Sequence, residues 1–286
     1  MRARGVLVAL LVVAGLVAGC GGDDGDDTVS QSGSPDSTEA AEESTTASTE
    51  AAAEPLSILV TNDDGYSAAG IDAVVEALVA EGHEVAVVAP LEQQSGTGGT
   101  FTEGAVESQE EQTASGHDAI AVAGFPSDSV RVALDELEMT PDLVVSGINE
   151  GQNVGTLVDV SGTIGAARAA VARGIPALAM SASVAEFERG YEAGAELLVA
   201  WVEEHIEALL AGDAPVEVTS INIPSCAEGE PEELVEVPVA TEGDPLAEPD
   251  CASDLTDPAD DVEALTHGFP TLTVVPAEPA TPPQPG

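Results

Sequence analysis

The sequence contains no lysine, and its six basic residues are all arginines, against 53 aspartates and glutamates. Its formal net charge is therefore −47. Binding to nucleic acids requires a basic surface for the phosphates, and attraction to anionic lipid headgroups has the same requirement. The composition excludes both kinds of partner. So acidic a surface also repels itself, which predicts a working environment of substantial ionic strength, where salt screens that repulsion.

Aromatic residues make up only 2% of the chain, and the 43% of hydrophobic residues are mostly Ala and Val. This apolar content is still enough for a sizeable core. The four histidines occur in unrelated contexts, at positions 83, 117, 205 and 267. None forms part of a pattern that suggests a Ser-His-Asp triad, so the sequence gives no support for that mechanism.

The N-terminal apolar run, Gly5 to Ala18, follows two arginines and is too short to span a bilayer comfortably. It ends in Leu-Val-Ala-Gly-Cys20, which resembles a bacterial lipoprotein lipobox. We predict a lipoprotein signal peptide over residues 1–19 and membrane anchoring through a lipidated Cys20 only. The alternative is an ordinary signal peptide followed by an incidental cysteine. The prediction implies an exported lipoprotein, anchored at the cell surface or in the periplasm.

Three regions are predicted after the signal peptide. Residues 20–54 contain almost no large apolar side chains and are predicted to be a disordered acidic tether. Residues 55–224 form the α/β core, and residues 225–286 a C-terminal extension with short strands and a Pro-rich tail. In an oxidising compartment, Cys226 and Cys251 are expected to form a disulfide, with free thiols as the alternative.

From Leu56 onward, short apolar runs alternate with longer Ala-rich ones. This alternation is typical of an α/β fold with a mainly parallel sheet, a Rossmann-like three-layer sandwich. The predicted strands are Ser57–Thr61, Glu84–Ala89, Asp118–Val122, Asp142–Ser146, Ala177–Ser181 and Glu217–Ile223, with two extended segments at Leu234–Val239 and Thr271–Val275. The predicted helices are Ala69–Glu81, Ser127–Glu138, Ser161–Arg173 and Ala185–Ala211.

The first predicted strand runs into Asn62-Asp63-Asp64-Gly65. In open α/β sheets, ligands bind beyond the carboxyl ends of the strands. Two carboxylates there, with Asn62 beside them, offer the hard oxygen ligands that Mg²⁺ and Mn²⁺ prefer. The alternative is a solvated turn, because Asp-Gly is a turn signal wherever it occurs.

Other polar motifs also follow predicted strands. Ser95 lies in a Gly-rich loop, Asn149 and Asn153 lie among glycines after the fourth strand, and Ser161-Gly162-Thr163 opens a helix. Asn149 offers a carbonyl ligand, and a helix N-terminus with glycine beside it can bind phosphate. The alternatives are turn formation for Ser95 and the asparagines, and plain N-capping for Ser161.

The motif Gly124-Phe-Pro-Ser127-Asp128 is predicted to be structural, with Ser127 or Asp128 near a helix cap and a secondary role in shaping the pocket. Together, the five motifs resemble the SurE family of survival-protein nucleotidases, metal-dependent phosphatases that act on nucleoside monophosphates. The match runs in order from Ile58 to about Ser181. Weaker similarity continues through Ile221–Pro224 and into Asp261–Thr273.

The resemblance implies one divalent metal ion, Mg²⁺ or Mn²⁺, and two sets of site residues. The metal would be held by Asp63, Asp64, Ser95 and Asn149. The substrate phosphate would lie near Asn62, Asn153, Ser161, Gly162 and Thr163. The expected reaction is hydrolysis of nucleoside 5′- or 3′-monophosphates to nucleoside and phosphate by a metal-activated water. Asp63 or Asp64 would act as the catalytic base.

A second hypothesis is a surface-tethered lipoprotein that binds nucleotide or metal without turnover. The chain also departs from the family pattern. Arg168 stands where a glutamate is usual, although it lies beyond the first turn of its helix. The C-terminal region lacks the aromatic-rich hairpin that many family members use for assembly. That absence argues against a tetramer and leaves a homodimer open.

Overall fold

The computed structural model describes residues 54–183, 187–226 and 228–279, and for residues 187–189 only the backbone. The strands are β1 (Ser57–Thr61), β2 (Glu84–Pro90), β3 (Ser108–Gln112), β4 (Asp118–Val122), β5 (Leu143–Glu150), β6 (Ala177–Ala182), β7 (Val218–Ile223), β8 (Val235–Glu236) and β9 (Thr271–Val275). The helices are α1 (Ala69–Ala80), α2 (Pro126–Arg131), α3 (Gly162–Val171), α4 (Phe187–Ala211) and α5 (Asp261–Thr266). A π turn spans Val132–Glu136, and a 3-10 turn spans Gly155–Asp159.

All nine strands belong to one sheet, in the order β3-β4-β2-β1-β5-β6-β7-β9-β8. The six strands from β4 to β7 are parallel, whereas β3 and β9 run antiparallel to their neighbours β4 and β7. The chain moves from β1 outward to β2 and β4, then returns to place β5 on the other side of β1. The carboxyl ends of β1 and β5 therefore meet at the switch point of the sheet, where ligands bind in such folds.

Alternating side chains of β1 enter two separate cores, one on each face of the sheet. Ile58 and Val60 pack in the core that α1 and α4 cover, and Leu59 packs in the core that α2 and α3 cover. This alternation follows from the two-residue period of a strand. The predicted three-layer α/β fold with a mainly parallel sheet is confirmed.

The predicted strand positions are confirmed to within four residues at every end, with β5 extending furthest beyond its prediction. The prediction for the second helix was wrong at its C-terminal end. The structure ends α2 at Arg131, and the chain continues as the π turn. Sequence reasoning missed β3, whose sequence Ser-Gln-Glu-Glu-Gln carries no apolar signal. It also missed α5, a helix of six residues.

The C-terminal segment contributes β8 and β9 to the same sheet as the core strands. Cys226 and Cys251 form a disulfide with a Cα–Cα distance of 5.9 Å, which confirms the predicted pairing. The predicted signal peptide, Cys20 and the tether up to residue 53 lie outside the described residues, as does the tail from residue 280. Within the described part of the chain, each helix is too short or too polar to cross a membrane.

Candidate active site

The turn after β1 is shaped by Asn62, which is completely buried. Its Oδ1 accepts the N–H of Gly65 at 3.1 Å, and its Nδ2 donates to the Gly65 carbonyl at 2.9 Å. Gly65 has a φ of 103°, a conformation that glycine adopts without steric cost. Asn62 was predicted to lie near the phosphate. In the structure its side chain closes the turn that presents Asp63 and Asp64.

Asp63 joins this turn to the N-terminus of α3. Its carboxyl group is buried, and its Oδ1 accepts a hydrogen bond from Thr163 Oγ1 at 2.6 Å. A Cβ on Gly162 would lie 2.8 Å from Asp63 Oδ2, so only glycine permits this approach. Burial raises the pKa of Asp63, and the hydrogen bond from Thr163 partly opposes that effect. The structure thus brings Asp63, Gly162 and Thr163 together, as the sequence predicted for a common site.

Asp64 connects β1 to β5. Its Oδ2 accepts the backbone N–H of Glu150 at 2.9 Å. Burial raises the pKa of Asp64 to about 7, and the nearby charges of Asp63 and Glu150 contribute in the same direction. The carboxylates of Asp63 and Asp64 are therefore crowded at the switch point of the sheet.

Asn149, at the end of β5, is one of the described residues whose side chain has a buried polar atom without a hydrogen-bond partner. Its Nδ2 donates to the Gly151 carbonyl, whereas its Oδ1 is buried without a hydrogen-bond donor. A buried acceptor without a partner costs free energy, and such groups in folded proteins call for a physical explanation. A cation at the carboxyl ends of β1 and β5 would provide one.

The chemistry of these residues fits a hard divalent cation. The arginines with described ion pairs are Arg131, Arg168 and Arg173, and none of them pairs with Asp63 or Asp64. The described residues contain no cluster of three or more His, Cys, Asp or Glu side chains suited to a metal. A cation here would rely on two carboxylates and neutral oxygens such as Asn149 Oδ1, a donor set that suits Mg²⁺ or Mn²⁺.

Ser95, the fourth predicted metal ligand, lies in the loop that follows β2. The residue is exposed, and its hydroxyl accepts a hydrogen bond from Gln93 Nε2. The neighbouring Gln94, however, donates its backbone N–H to the Asp63 carbonyl at 2.7 Å. The loop is therefore fixed against the aspartate turn one residue before Ser95.

The predicted phosphate residues Ser161 and Asn153 both have structural partners. Ser161 is the N-cap of α3, and its Oγ accepts the N–H of Ile164 at 3.1 Å, as expected of a capping serine. Asn153 Nδ2 donates to Ser181 Oγ at 2.8 Å and approaches Thr163 Oγ1 at 3.4 Å. These contacts link the loop after β5 to β6 and to the start of α3, beside Asp63.

Sequence reasoning assigned no role to Asn222, which holds this loop from β7. Its Oδ1 accepts the N–H of Asn153 at 2.7 Å, and its Nδ2 donates to the Asn153 carbonyl at 3.3 Å. Asn222 is 1% exposed, so its polar group lies within the sheet layer. An asparagine between Ile221 and Ile223 in a strand that is buried along its whole length is the signal that could have identified it.

The family model described as Survival protein SurE matches residues 58–244, about two thirds of the chain, and includes the five motifs between Asn62 and Thr163. The chain belongs to the SurE family. A 5′-nucleotidase SurE from Parasynechococcus marenigrum is 41% identical over 176 residues, which cover 60% of this chain and 64% of that protein. A 5′-nucleotidase SurE from Methanopyrus kandleri is 47% identical over 130 residues, covering 45% of this chain and 49% of the relative.

The chain thus spans somewhat less than two thirds of the length of the first of these SurE relatives. A solved structure agrees with the fold. The crystal structure of the SurE protein from Aquifex aeolicus superimposes with a TM-score of 0.62 and 28% sequence identity, covering 78% of this chain and 94% of that one. The crowded aspartates, the unpaired Asn149 oxygen and the N-terminus of α3 therefore lie within a SurE fold.

Proposed function

We propose that this SurE chain is a metal-dependent phosphomonoesterase that hydrolyses nucleoside 5′- and 3′-monophosphates to nucleoside and phosphate. One observation carries the proposal: Asp63 lies against the N-terminus of α3, and Asp64 accepts the N–H of Glu150, the residue after Asn149, whose Oδ1 is unpaired. That arrangement supports a cation site next to a phosphate site. The name 5′-nucleotidase, carried by similar proteins, supports the choice of substrate.

Asp63, Asp64 and Asn149 would hold a Mg²⁺ or Mn²⁺ ion, with Ser95 as the fourth ligand that the resemblance to the family implies. When bound, the cation would neutralise phosphoryl oxygens and make a water acidic enough to attack phosphorus near neutral pH. Asp63 or Asp64 would accept the proton of that water. Thr163 fixes the Asp63 carboxylate through the 2.6 Å hydrogen bond.

The N-terminus of α3 supplies the remaining stabilisation of the phosphoryl group. First-turn amides lack partners within a helix, and the helix dipole favours negative charge there. Gly162 lets α3 approach Asp63 closely, so that phosphate and carboxylates share one site. Since none of the described arginine ion pairs involves the two aspartates, these amides and the cation would carry most of the charge stabilisation.

The test compares Asp63→Ala and Asp64→Asn with wild type on 5′- and 3′-nucleoside monophosphates, in Mn²⁺, Mg²⁺ or chelator. We expect metal-dependent turnover that falls by at least about a hundredfold in both variants, as for loss of a catalytic acid–base group. Asp118→Asn is the matched control, because Asp118 is exposed at the start of β4 and should retain full activity.

Melting temperature gives a second readout. Asp64→Asn should melt higher than wild type in chelator, because it removes the charge of a half-buried carboxylate next to buried Asp63. It should also lose the metal-induced rise in melting temperature. If a folded wild-type protein binds metal but releases no phosphate from any nucleotide, the phosphatase proposal is wrong. The protein would then be the non-catalytic nucleotide- or metal-binding lipoprotein.

We also propose that the protein is exported and anchored to a membrane through lipidated Cys20. The charged start, apolar run and small residues before Cys20 support export, as does the Cys226–Cys251 disulfide, which requires an oxidising compartment. Labelled palmitate should be incorporated into the full-length protein in a bacterial host and lost in Cys20→Ala. Equal labelling of both proteins would contradict the anchor.

A further inference from the structure

A cavity of about 410 Å³ opens beyond the carboxyl ends of β2 and β4, next to the candidate active site. Its walls come from the loop after β2 and from the segment that leads into α2. The lining side chains that matter here are Leu91, Glu92, Gln94, Thr102 and Phe125. Nothing in the reaction at Asp63 and Asp64 uses this cavity.

The cavity is physically connected to the aspartate turn. Gln94, which lines it, donates its backbone N–H to the Asp63 carbonyl at 2.7 Å. At the other end of the turn, Tyr66 donates its N–H to the Pro90 carbonyl at 2.9 Å, directly before Leu91. A ligand whose phosphate lies at Asp63 therefore has this cavity as its neighbour along the edge of the sheet.

The two walls of the cavity are held by one buried carboxylate. Asp128, which is 0% exposed, accepts the N–H of Phe125 at 3.0 Å. It also accepts the N–H and the hydroxyl of Thr102, at 3.1 and 2.8 Å. Arg131 donates to the same group at 3.1 Å, so the charge is paired. Asp128 thus fixes Phe125 and Thr102 relative to each other, which gives this motif a role in forming a cavity.

The lining chemistry indicates what the cavity would bind. Phe125 is half-buried, so part of its side chain is accessible to a ligand. The described lining contains a carboxylate, an amide and a hydroxyl but no basic side chain, which disfavours a second phosphate. A planar heteroaromatic ring that stacks on Phe125 and donates amino hydrogens to Glu92 or Gln94 matches this lining.

We propose that this cavity is the nucleobase subsite, with Phe125 as its stacking platform and Asp128 as the positioning residue of its walls. The inference rests on the proposed nucleotidase function, because it assigns a place to the base of the same substrate. It predicts that the enzyme distinguishes nucleotides from phosphate esters that lack a base.

The first test measures the ratio of kcat/KM for adenosine 5′-monophosphate to kcat/KM for ribose 5-phosphate. Phe125→Ala should lower this ratio about tenfold by raising KM for the nucleotide. Stacking of a base on an aromatic side chain strengthens binding by about that factor. Phe125→Trp should restore it. Phe101→Ala is the matched control, because Phe101 is 63% exposed and lies outside this cavity, and its ratio should equal that of wild type.

The second test uses wild-type protein and does not require turnover. Equilibrium dialysis should detect binding of adenosine, which lacks phosphate, and Asp128→Asn should weaken it, whereas ribose should not bind. A wild-type ratio near one, together with no adenosine binding, would overturn the base subsite and leave the phosphatase intact. Adenosine binding without hydrolysis of either ester would instead overturn the nucleotidase and keep the subsite. If the kcat/KM ratio falls in Phe101→Ala and not in Phe125→Ala, the base binds outside this cavity.

Discussion

Asp261 shows how one side chain, far away in sequence, supports the candidate site. The residue is 1% exposed, and its two carboxylate oxygens accept the N–H groups of Ala240 at 2.8 Å and Gly155 at 3.0 Å. Gly155 follows Asn153 by two residues. Asp261 therefore ties the loop that carries Asn153 to the C-terminal segment.

We predict that Asp261→Asn lowers the free energy of unfolding by about 1–3 kcal/mol, because the new NH2 group would face a buried N–H and leave it unpaired. Urea unfolding in chelator measures this change without involving metal. The control is Asp260→Asn, since Asp260 is the N-cap of α5 and Asn caps a helix equally well. Equal stability of the two variants would show that the stability of the fold does not depend on both carboxylate oxygens of Asp261.

At the residue scale, the sequence was sufficient to predict site residues where a suitable residue type directly follows a recognisable strand. Two adjacent aspartates after an apolar strand could be placed at the switch point because strand ends meet there. The unpaired oxygen of Asn149 and the hydrogen bonds from Asn222 to the Asn153 backbone could not be predicted. Both depend on contacts between strands far apart in sequence. The metal role predicted for Ser95 stays a prediction, because its exposed side chain is described only in contact with Gln93.

The π turn at Val132–Glu136 is attached to the end of α3 by an exposed ion pair. Arg173 NH2 lies 2.7 Å from Asp135 Oδ2, and the hydrogen bonds from Arg173 lower the pKa of Asp135 below its ordinary value of 3.8. A group with a lowered pKa stabilises the fold above its unfolded-state pKa, and that contribution is lost as the pH falls through the folded-state pKa.

Asp135→Asn should therefore be less stable than wild type at pH 7, by less than about 1 kcal/mol because the pair is exposed. The difference should disappear when the pH is taken well below 3.8. Thermal melts from pH 2 to pH 7 measure it. Asp118→Asn removes the same charge without an arginine partner, and a stability difference of the same size in that variant would contradict the pairing.

The disulfide anchors the segment between β7 and α5. Cys226 and Cys251 are 25 residues apart, and a cross-link over this distance stabilises a fold by about 3.5 kcal/mol in the chain-entropy model. The double variant Cys226→Ala with Cys251→Ala should lose stability of that order in urea. Dithiothreitol should lower the stability of wild type similarly and leave the double variant unchanged; a wild type insensitive to the reductant would contradict this account.

At the element scale, predictability followed the strength of the hydrophobic pattern. The parallel strands are buried on both faces and appear as apolar runs, so β1 and β6 were located closely. The edge strand β3 exposes four of its five residues and pairs only with β4, so its polar sequence resembled a loop. The break between α2 and the π turn has no glycine or proline to mark it.

The whole molecule carries a net charge of −47, which destabilises the compact state through self-repulsion. We predict that the melting temperature rises steadily as NaCl is added from about 0.01 M to about 1 M, because the Debye length falls from about 30 Å to about 3 Å. Activity at saturating metal should rise as well. Equal ionic strength from tetramethylammonium chloride is the control for specific sodium binding, and a melting temperature that falls with both salts would contradict screening.

The edge strand β3 gives this charge a further consequence. Glu110 and Glu111 lie on a strand whose outer backbone groups are free to pair with another chain, because its described strand partner is β4 alone. Charged side chains on such an edge discourage aggregation between sheets. Salt that stabilises the fold also weakens this protection, so the conditions best for folding bring the protein closest to self-association. The acidic composition therefore sets a limit on protein concentration as well as a requirement for salt.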